Sequence, residues 1–158
     1  IRPRPLVCDL SDAIDRAVQT VCPLIESNTV QVDPIEDSID LYADSDLIHQ
    51  VLVNLIRNGA EAMPDGGTLR FSAESNDTGT TVVLRDTGPG IDADDIDRIF
   101  NPFFTTRATG TGLGLAIVHR IIDAHGGTIA VHNDGGAVFT ICLPNPTTDS
   151  SSQGGQAA

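Results

Sequence analysis

Three side-chain amides recur at every fourth residue in the segment 46–63, as Gln50, Asn54 and Asn58. Apolar residues recur there at steps of three and four, which predicts a helix with one face in the core. These are Leu47, Ile48, Val51, Leu52, Leu55, Gly59 and Ala62. Asn is a poor helix former, because its side chain competes for backbone hydrogen bonds. The stripe is therefore either a polar edge facing water or an amide ladder facing a polar ligand or a hydrated metal.

A carboxylate followed by two glycines comes at the end of a predicted strand, as Asp86, Gly88 and Gly90. Such a carboxylate can accept a hydrogen bond from an exocyclic amine, for example that of adenine, and glycines allow a ring to lie close to the backbone. The same pattern is typical of an ordinary turn. The residues alone leave both interpretations open.

A glycine-rich segment, Gly110-Thr111-Gly112-Leu113-Gly114, leads directly into a predicted helix over 113–124. Backbone N–H groups at a helix N-terminus form an anion site suited to phosphate oxygens. The segment is not the dinucleotide-binding fingerprint, because its spacing is GxGxG and no strand–helix–strand unit surrounds it. Just upstream, Phe103-Phe104-Thr105-Thr106-Arg107 supplies two hydroxyls, a guanidinium and an apolar anchor for a mobile lid.

The elements that must position these residues alternate between helices and strands. The first half of the chain predicts an extended piece at 6–10, a helix from about 11 to 25, short strands at 30–32 and 39–42, and the amide helix. The second half predicts a hairpin of 68–73 with 80–85 and one or two helical turns at 92–98. A helix at 113–124 and a hairpin of 128–132 with 137–143 follow. Ser11 or Asp12 is expected to cap the first helix, and Asp44 or Ser45 the amide helix. This order predicts an α+β fold, a two-layer α/β sandwich whose mixed, mostly antiparallel sheet carries three main helices on one face.

Composition excludes several classes of function. The chain of 158 residues is expected to form one domain with a substantial core, and its net charge is −13. All nine basic residues are Arg, so no basic patch suited to nucleic acid is expected, and the lysines of P-loops and eukaryotic-type protein kinases are absent. Any phosphate chemistry must use backbone amides, a metal and Arg. No apolar run approaches about 18 residues, so no membrane contact is expected.

Cys8, Cys22 and Cys142 lie far apart in apolar runs, without a CxxC pair. This arrangement favours buried free thiols in a reducing compartment over a disulfide framework or a zinc site. A cytoplasmic location is therefore expected.

The order of the motifs is more specific than any one of them. An amide helix, Asp-x-Gly-x-Gly, a Phe-containing segment and a glycine-rich loop that opens a helix follow the order of the N, G1, F and G2 boxes. Over about Leu6 to Pro144 the chain resembles the catalytic ATP-binding domain of sensor histidine kinases, within the wider family of gyrase, the heat-shock chaperone ATPase and mismatch-repair ATPases. The resemblance implies the Bergerat ATP-binding fold. The segment Phe100–Arg107, with a very short lid before Gly110, is most similar to the nitrogen-regulation-type subgroup, and 135–144 is similar to the closing G3 segment.

The resemblance also implies a role for each matching residue. Asn58 would coordinate Mg²⁺ on the triphosphate, and Asn54 would contact phosphate or bound water. Asp86 would accept a hydrogen bond from the adenine amine, with Gly88 and Gly90 shaping that pocket. The residues over the phosphates would be Thr106, Arg107, Gly110, Thr111, Gly112, Leu113 and Gly114. ATP and Mg²⁺ are thus the implied ligands, and Asn54 and Arg107 the implied catalytic residues.

Two features of the family are missing. Ala62 stands where many sensor kinases place an aromatic residue over adenine, and no phosphoacceptor is recognisable among His49, His119, His125 and His132. The resemblance therefore implies an acceptor histidine on dimerisation helices that precede Ile1, and a downstream response regulator. Residues 1–5 are expected to be the linker from those helices, and 145–158 a disordered tail. We expect this chain to be a monomer and the intact kinase a homodimer.

Position 54 separates the functions that remain open. The hydrolytic relatives and the anti-sigma-like serine kinases place a Glu one helical turn before the metal-binding Asn, where it can activate water or a hydroxyl. Asn54 cannot act as a general base, whereas a neutral imidazole acceptor already carries a lone pair. Asn54 therefore predicts phosphoryl transfer to a partner histidine with slow hydrolysis, in preference to a GHKL-type ATPase or a serine kinase. The alternative from another class is a nucleotide-binding pseudokinase without chemistry.

Overall fold

The computed structural model describes residues 1–104 and 114–146. The helices are α1 (Leu10–Ser27), α2 (Ser45–Glu61) and α3 (Gly114–Ala124), and the strands are β1 (Leu6–Asp9), β2 (Val30–Asp33), β3 (Asp40–Ala43), β4 (Gly67–Ser75), β5 (Gly79–Asp86), β6 (Thr128–Asn133) and β7 (Ala137–Pro144). The predicted α+β fold is confirmed, and both predicted hairpins form the antiparallel pairs β4–β5 and β6–β7.

The main sheet has five strands in the order β2-β4-β5-β7-β6. Only the pair β2–β4 is parallel among these neighbours, so the described sheet is mixed and mostly antiparallel. The last strand of the chain, β7, lies between β5 and β6, and Val138 near its start pairs with Arg85 near the end of β5. The loop that follows β5 and the turn that precedes β7 therefore meet at one end of the sheet.

The two short strands predicted around the acidic segment 33–37 belong to different sheets. β2 pairs with β4, whereas β3 pairs with β1 in a separate antiparallel ribbon. A parallel pair requires a long crossover connection, and the chain between β2 and β4 supplies it through β3 and α2.

The first helix begins earlier than expected. Asp9 caps α1, since its carboxylate accepts a hydrogen bond from the Ser11 N–H at 2.9 Å, so the prediction of Ser11 or Asp12 as the cap is wrong. Leu10 is completely buried, and its N–H donates to the Ile39 carbonyl. Because Leu10 is buried in the core, α1 starts at this residue and not at residue 11 as predicted. At the other end, α1 continues through the exposed Pro23.

The acidic segment 92–98 forms helical turns that do not continue into a regular helix. The Ile96 N–H donates to the Asp92 carbonyl at 3.1 Å, which closes one helical turn, and the Arg98 N–H donates to the Asp95 carbonyl at 2.8 Å. Like charges three and four residues apart destabilise a helix, and Asp92, Asp94, Asp95 and Asp97 crowd one short segment. The prediction of one or two helical turns is confirmed for the turn 92–96, which does not extend into a helix.

The central helix α2 packs against α1, α3 and β4. Its buried residues are Ile48, Val51, Leu52, Val53, Leu55, Ile56, Gly59 and Ala60, a wider face than the periodicity predicted. Gly59 allows close contact with the sheet, because a Cβ there would lie 2.5 Å from the Cδ2 of Leu69 in β4. The amide edge is therefore carried by a helix that is held on three sides.

The three cysteines are free thiols, but they are not buried as expected. Cys8 and Cys22 are half-buried, and Cys142 is exposed on β7. Burial raises the pKa of the Cys8 thiol. The Cys22 thiol donates to the Glu26 carboxylate at 3.3 Å, and this hydrogen bond raises its pKa. Among the helices in the described ranges, none is long and apolar enough to cross a membrane.

Candidate nucleotide site

The amide edge of α2 begins with Gln50, which is exposed, and continues with Asn54 and Asn58, which are half-buried. The Asn54 side-chain Nδ2 donates to the Gln50 carbonyl at 2.9 Å. One of its two N–H groups is therefore engaged within the helix, and the other N–H and Oδ1 can both meet a ligand. A Cβ on Gly114, the first residue of α3, would lie 3.1 Å from that Oδ1. The structure thus brings Asn54 to the N-terminus of α3.

Asn58 lies one turn further along the same edge. Its carbonyl accepts a hydrogen bond from the N–H of Ala62, the residue that ends α2. The Ala62 carbonyl in turn lies against the loop after β5, since a Cβ on Gly88 would be 3.3 Å from it. The amide edge therefore runs from the start of α3 to the Asp-x-Gly-x-Gly loop.

Asp86 ends β5 with only 7% of its surface exposed. Its Oδ1 accepts hydrogen bonds from the Gly88 and Ala137 N–H groups, both at 3.0 Å. Two donors on one oxygen fix the orientation of the carboxylate, and no described residue donates to Oδ2. Buried polar atoms in native proteins normally have a hydrogen-bond partner. The site therefore has an oriented acceptor suited to an amine.

Gly136 lies against Asp86, next to Ala137, and the sequence did not assign it to the site. Its φ is +141°, and a Cβ there would overlap the Asp86 carbonyl oxygen and lie 2.7 Å from its Oδ1. Only glycine allows this approach. The sequence signal was the segment 135–144, which resembles a G3 segment, but nothing in it indicated contact with Asp86.

A second unassigned residue, Asn133, holds the loop that contains Gly90. Its Oδ1 accepts from the Ile91 N–H at 2.9 Å, and its Nδ2 donates to the Ile91 carbonyl at 2.6 Å. Gly90 has φ +79°, and a Cβ there would lie 2.8 Å from the Asn133 Oδ1. A lone Asn before a turn carries no sequence signal for this role.

The two rings of the Phe-containing segment lie in different environments. Phe104 is half-buried under Arg98, whose guanidinium carbon lies 5.0 Å from the ring centroid, whereas Phe103 is 74% exposed with φ +67°. Of the two rings, Phe104 packs against the core, and the lid that the pair was expected to anchor lies outside the described residues. The other residues predicted to close over phosphates lie outside the described residues: Thr106, Arg107, Gly110, Thr111, Gly112 and Leu113.

The histidines occupy the helix and strand positions that the sequence predicted. His119 is on the surface of α3, His132 is on β6, and His49 is within 3.3 Å of the Thr20 hydroxyl at the contact with α1. His125, just after α3, accepts the Asp44 N–H on Nε2 at 3.0 Å and donates from Nδ1 to the Ile121 carbonyl at 2.8 Å. This bond ties the end of α3 to the start of α2.

The Asp44 carboxylate caps α2, as expected. It accepts from the N–H groups of Asp46 and Leu47, and a hydrogen bond from the Arg4 N–H at 2.9 Å is the main cause that lowers the pKa of this carboxyl. The chain that enters the domain is therefore tied to the N-terminus of the amide helix.

A two-layer α+β fold with an oriented carboxylate at the end of a strand, facing an amide-bearing helix, defines a Bergerat-type nucleotide-binding domain. Comparison with known proteins supports this class of domain. Residues 43–147 match the family described as "Histidine kinase-, DNA gyrase B-, and HSP90-like ATPase". The match covers most of the described site, from the cap of α2 to the end of β7.

Similar proteins narrow this class further. Sensor histidine kinase ZraS of Escherichia coli (strain K12) is 39% identical over 150 residues, which are 92% of this chain and 32% of ZraS. Sporulation kinase E of Bacillus subtilis (strain 168) is 37% identical over 118 residues, 73% of this chain and 16% of that kinase. This chain thus spans about a third or less of these relatives.

Solved structures agree with the sequences. The catalytic domain of histidine kinase ThkA superimposes with a TM-score of 0.79 at 31% identity, covering 89% of this chain and 95% of that one. Full-length ShkA, solved in complex with AMPPNP, gives a TM-score of 0.78 at 27% identity, covering 91% of this chain and 32% of that one. The chain belongs to the histidine kinase-, DNA gyrase B- and HSP90-like ATPase family, as a histidine kinase catalytic domain. The nitrogen-regulation-type subgroup stays a prediction.

Proposed function

We propose that this domain binds Mg²⁺–ATP and transfers the γ-phosphoryl group to a histidine on the phosphoacceptor helices of its kinase. A response regulator would then receive the group. The family is one of ATPases, which supports ATP as the substrate. A solved complex of histidine kinase ThkA with the response regulator TrrA, 30% identical to this chain with a TM-score of 0.77 over 91% of this chain and 42% of that one, supports the class of partner.

Adenine would be recognised by Asp86. Its Oδ1 is held by two backbone N–H groups, so Oδ2 is the atom placed to accept a hydrogen bond from the exocyclic amine. Guanine carries a carbonyl oxygen at the same position, which would oppose the carboxylate. The absence of side chains at Gly88 and Gly90 allows the base to approach the backbone.

The triphosphate would lie between Asn54 and Asn58 on α2 and the N-terminus of α3. The amide oxygens of Asn54 and Asn58 are hard ligands of the kind that Mg²⁺ prefers, and Mg²⁺ keeps several waters, so one protein ligand, Asn58, is sufficient. When bound, Mg²⁺ would neutralise phosphate charge. The positive end of the α3 dipole would add to this. Such local compensation is needed, because the chain carries a net charge of −13.

Asn54 is the observation that favours transfer over hydrolysis. Its Nδ2 is bound to the Gln50 carbonyl and its Oδ1 lies near Gly114, so an amide, which cannot take up a proton, occupies this position. In transfer, the acceptor imidazole nitrogen forms a bond to the γ-phosphorus while the bond to the β–γ bridging oxygen breaks and ADP leaves. The lone pair of a neutral imidazole needs no protein base, whereas water does.

The test mixes this domain with candidate acceptor-helix domains and γ-labelled ATP. We expect an acid-labile, alkali-stable phosphoprotein, as for phosphohistidine, and slow phosphate release in the absence of acceptor. Asn58→Ala should lose Mg²⁺-dependent ATP binding in calorimetry while keeping its melting temperature. Gln50→Ala is the matched control, since it removes the exposed amide one turn before Asn54. ATP binding without transfer to any acceptor would favour the pseudokinase, and rapid phosphate release would favour the ATPase.

A further inference from the structure

The turn between β6 and β7 contacts the end of β5 and its loop at three points. The Ala137 N–H binds the Asp86 carboxylate at 3.0 Å. The Asp134 carboxylate pairs with the Arg85 guanidinium at 3.0 Å. The Asn133 side chain makes its two hydrogen bonds to the Ile91 backbone. The first two contacts fix the end of β5, and the third fixes the loop itself.

The loop depends on this third contact. Gly88 to Ile91 form no backbone–backbone hydrogen bond with any described residue. The Gly88 N–H donates to Asp86, which fixes the first part of the loop, and Asn133 fixes the last part. An Asn amide has one acceptor and two donors, and here it satisfies both the N–H and the carbonyl of one residue. The side chain thus makes with Ile91 the two hydrogen bonds, one to the N–H and one to the carbonyl, that a residue of a paired strand would make.

We propose that Asn133 is a positioning residue for base recognition, acting through Gly90 and Ile91. This inference rests on the proposed binding of ATP. Gly90 has φ +79° and lies so close to the Asn133 amide that a Cβ there would be 2.8 Å from its Oδ1. Asp86 and Gly88 form one side of the base pocket, and the loop held by Asn133 forms the adjoining side. Losing the two bonds would release that side without moving Asp86, which is held separately.

The test compares Asn133→Ala with the wild-type chain. Two neutral hydrogen bonds correspond to a change of about 5- to 150-fold in an equilibrium constant, so we expect ATP affinity measured by calorimetry to fall within that range. ADP should lose the same factor, because the base is common to both nucleotides, whereas a disturbed phosphate site would affect ATP more. Hydrogen exchange at the Ile91 amide should accelerate, while exchange at the Ala137 amide stays slow.

Asn145→Ala is the matched control. The Asn145 side-chain amide also clamps a turn, by donating to the Asn76 and Asp77 carbonyls at 2.9 and 3.1 Å, but at the end of the sheet opposite Asp86. It should leave both nucleotide affinities unchanged. Equal ATP affinity for Asn133→Ala and wild type would overturn the inference, as would an equal loss in the Asn145→Ala variant. A wild-type chain that binds neither nucleotide would instead overturn the proposed function.

Discussion

Replacing Asp86 by Asn tests whether one carboxylate oxygen binds the backbone N–H groups while the other is left to bind the base. Oδ1 accepts from the Gly88 and Ala137 N–H groups. In Asp86→Asn the amide oxygen must take that place, because an NH₂ group there would face two donors. The Asn nitrogen then occupies the position of Oδ2 and meets the adenine amine donor to donor.

The two Asp86 substitutions should differ in their effects on ATP affinity and on the free energy of unfolding. A hydrogen bond to a charged group is worth about 1.5–3 kcal/mol, so the loss corresponds to an increase of about 10- to 150-fold in the Kd for ATP. Asp86→Asn keeps both internal bonds and should cost less than about 1 kcal/mol in the free energy of unfolding. Asp86→Ala leaves two buried N–H groups unpaired, and each costs about 1–3 kcal/mol.

The assay is calorimetric titration of the wild type and both variants with ATP and ITP, together with thermal melts. ITP differs from ATP in carrying a carbonyl at position 6, which accepts from the Asn nitrogen, so Asp86→Asn should prefer ITP. Unchanged ATP affinity in Asp86→Asn would refute the assignment of Oδ2 to the base. A melting temperature as low as that of Asp86→Ala would refute the role given to Oδ1.

Three further predictions concern other parts of the same framework. Asn54→Glu supplies a base and should increase phosphate release from ATP without faster phosphohistidine formation, and faster transfer would count against the argument. Gly136→Ala should lower both the melting temperature and ATP affinity, because its Cβ meets the Asp86 backbone; Gly135→Ala, at φ +70° with no atom within 4 Å of the Cβ, should leave ATP affinity unchanged. Asp44→Ala removes a helix cap and should lower the free energy of unfolding by about 1 kcal/mol at pH 7. The pKa of Asp44 is lowered in the folded state, so its contribution is present above the unfolded value of about 3.9 and is lost as the pH falls through the folded value. Urea titrations at pH 7 and pH 3 should therefore show a difference from wild type that narrows in acid, and Asp44→Asn, which keeps an acceptor for the cap without the charge, should lose at pH 7 only the part that depends on the charge.

Local features of this chain were predictable because their signals are local. The amide stripe on α2, its cap at Asp44 and the two hairpins follow from periodicity and turn residues within short windows. One error occurs where a tertiary contact outweighed local preference. Asp9 rather than Ser11 caps α1, because the complete burial of Leu10 moves the start of the helix.

By itself, the sequence determined the order of helices and hairpins, the family resemblance and the positions of Asn54, Asn58 and Asp86. The tertiary structure alone decided what holds those residues in place. Ala137 binds Asp86 across 51 residues of chain, and Asn133 binds Ile91 across 42. These contacts exist because β7 inserts beside β5 and brings two distant turns to one end of the sheet. Strand order is a property of the whole core, so no local pattern could have shown that the last residue of β6 binds the loop after β5.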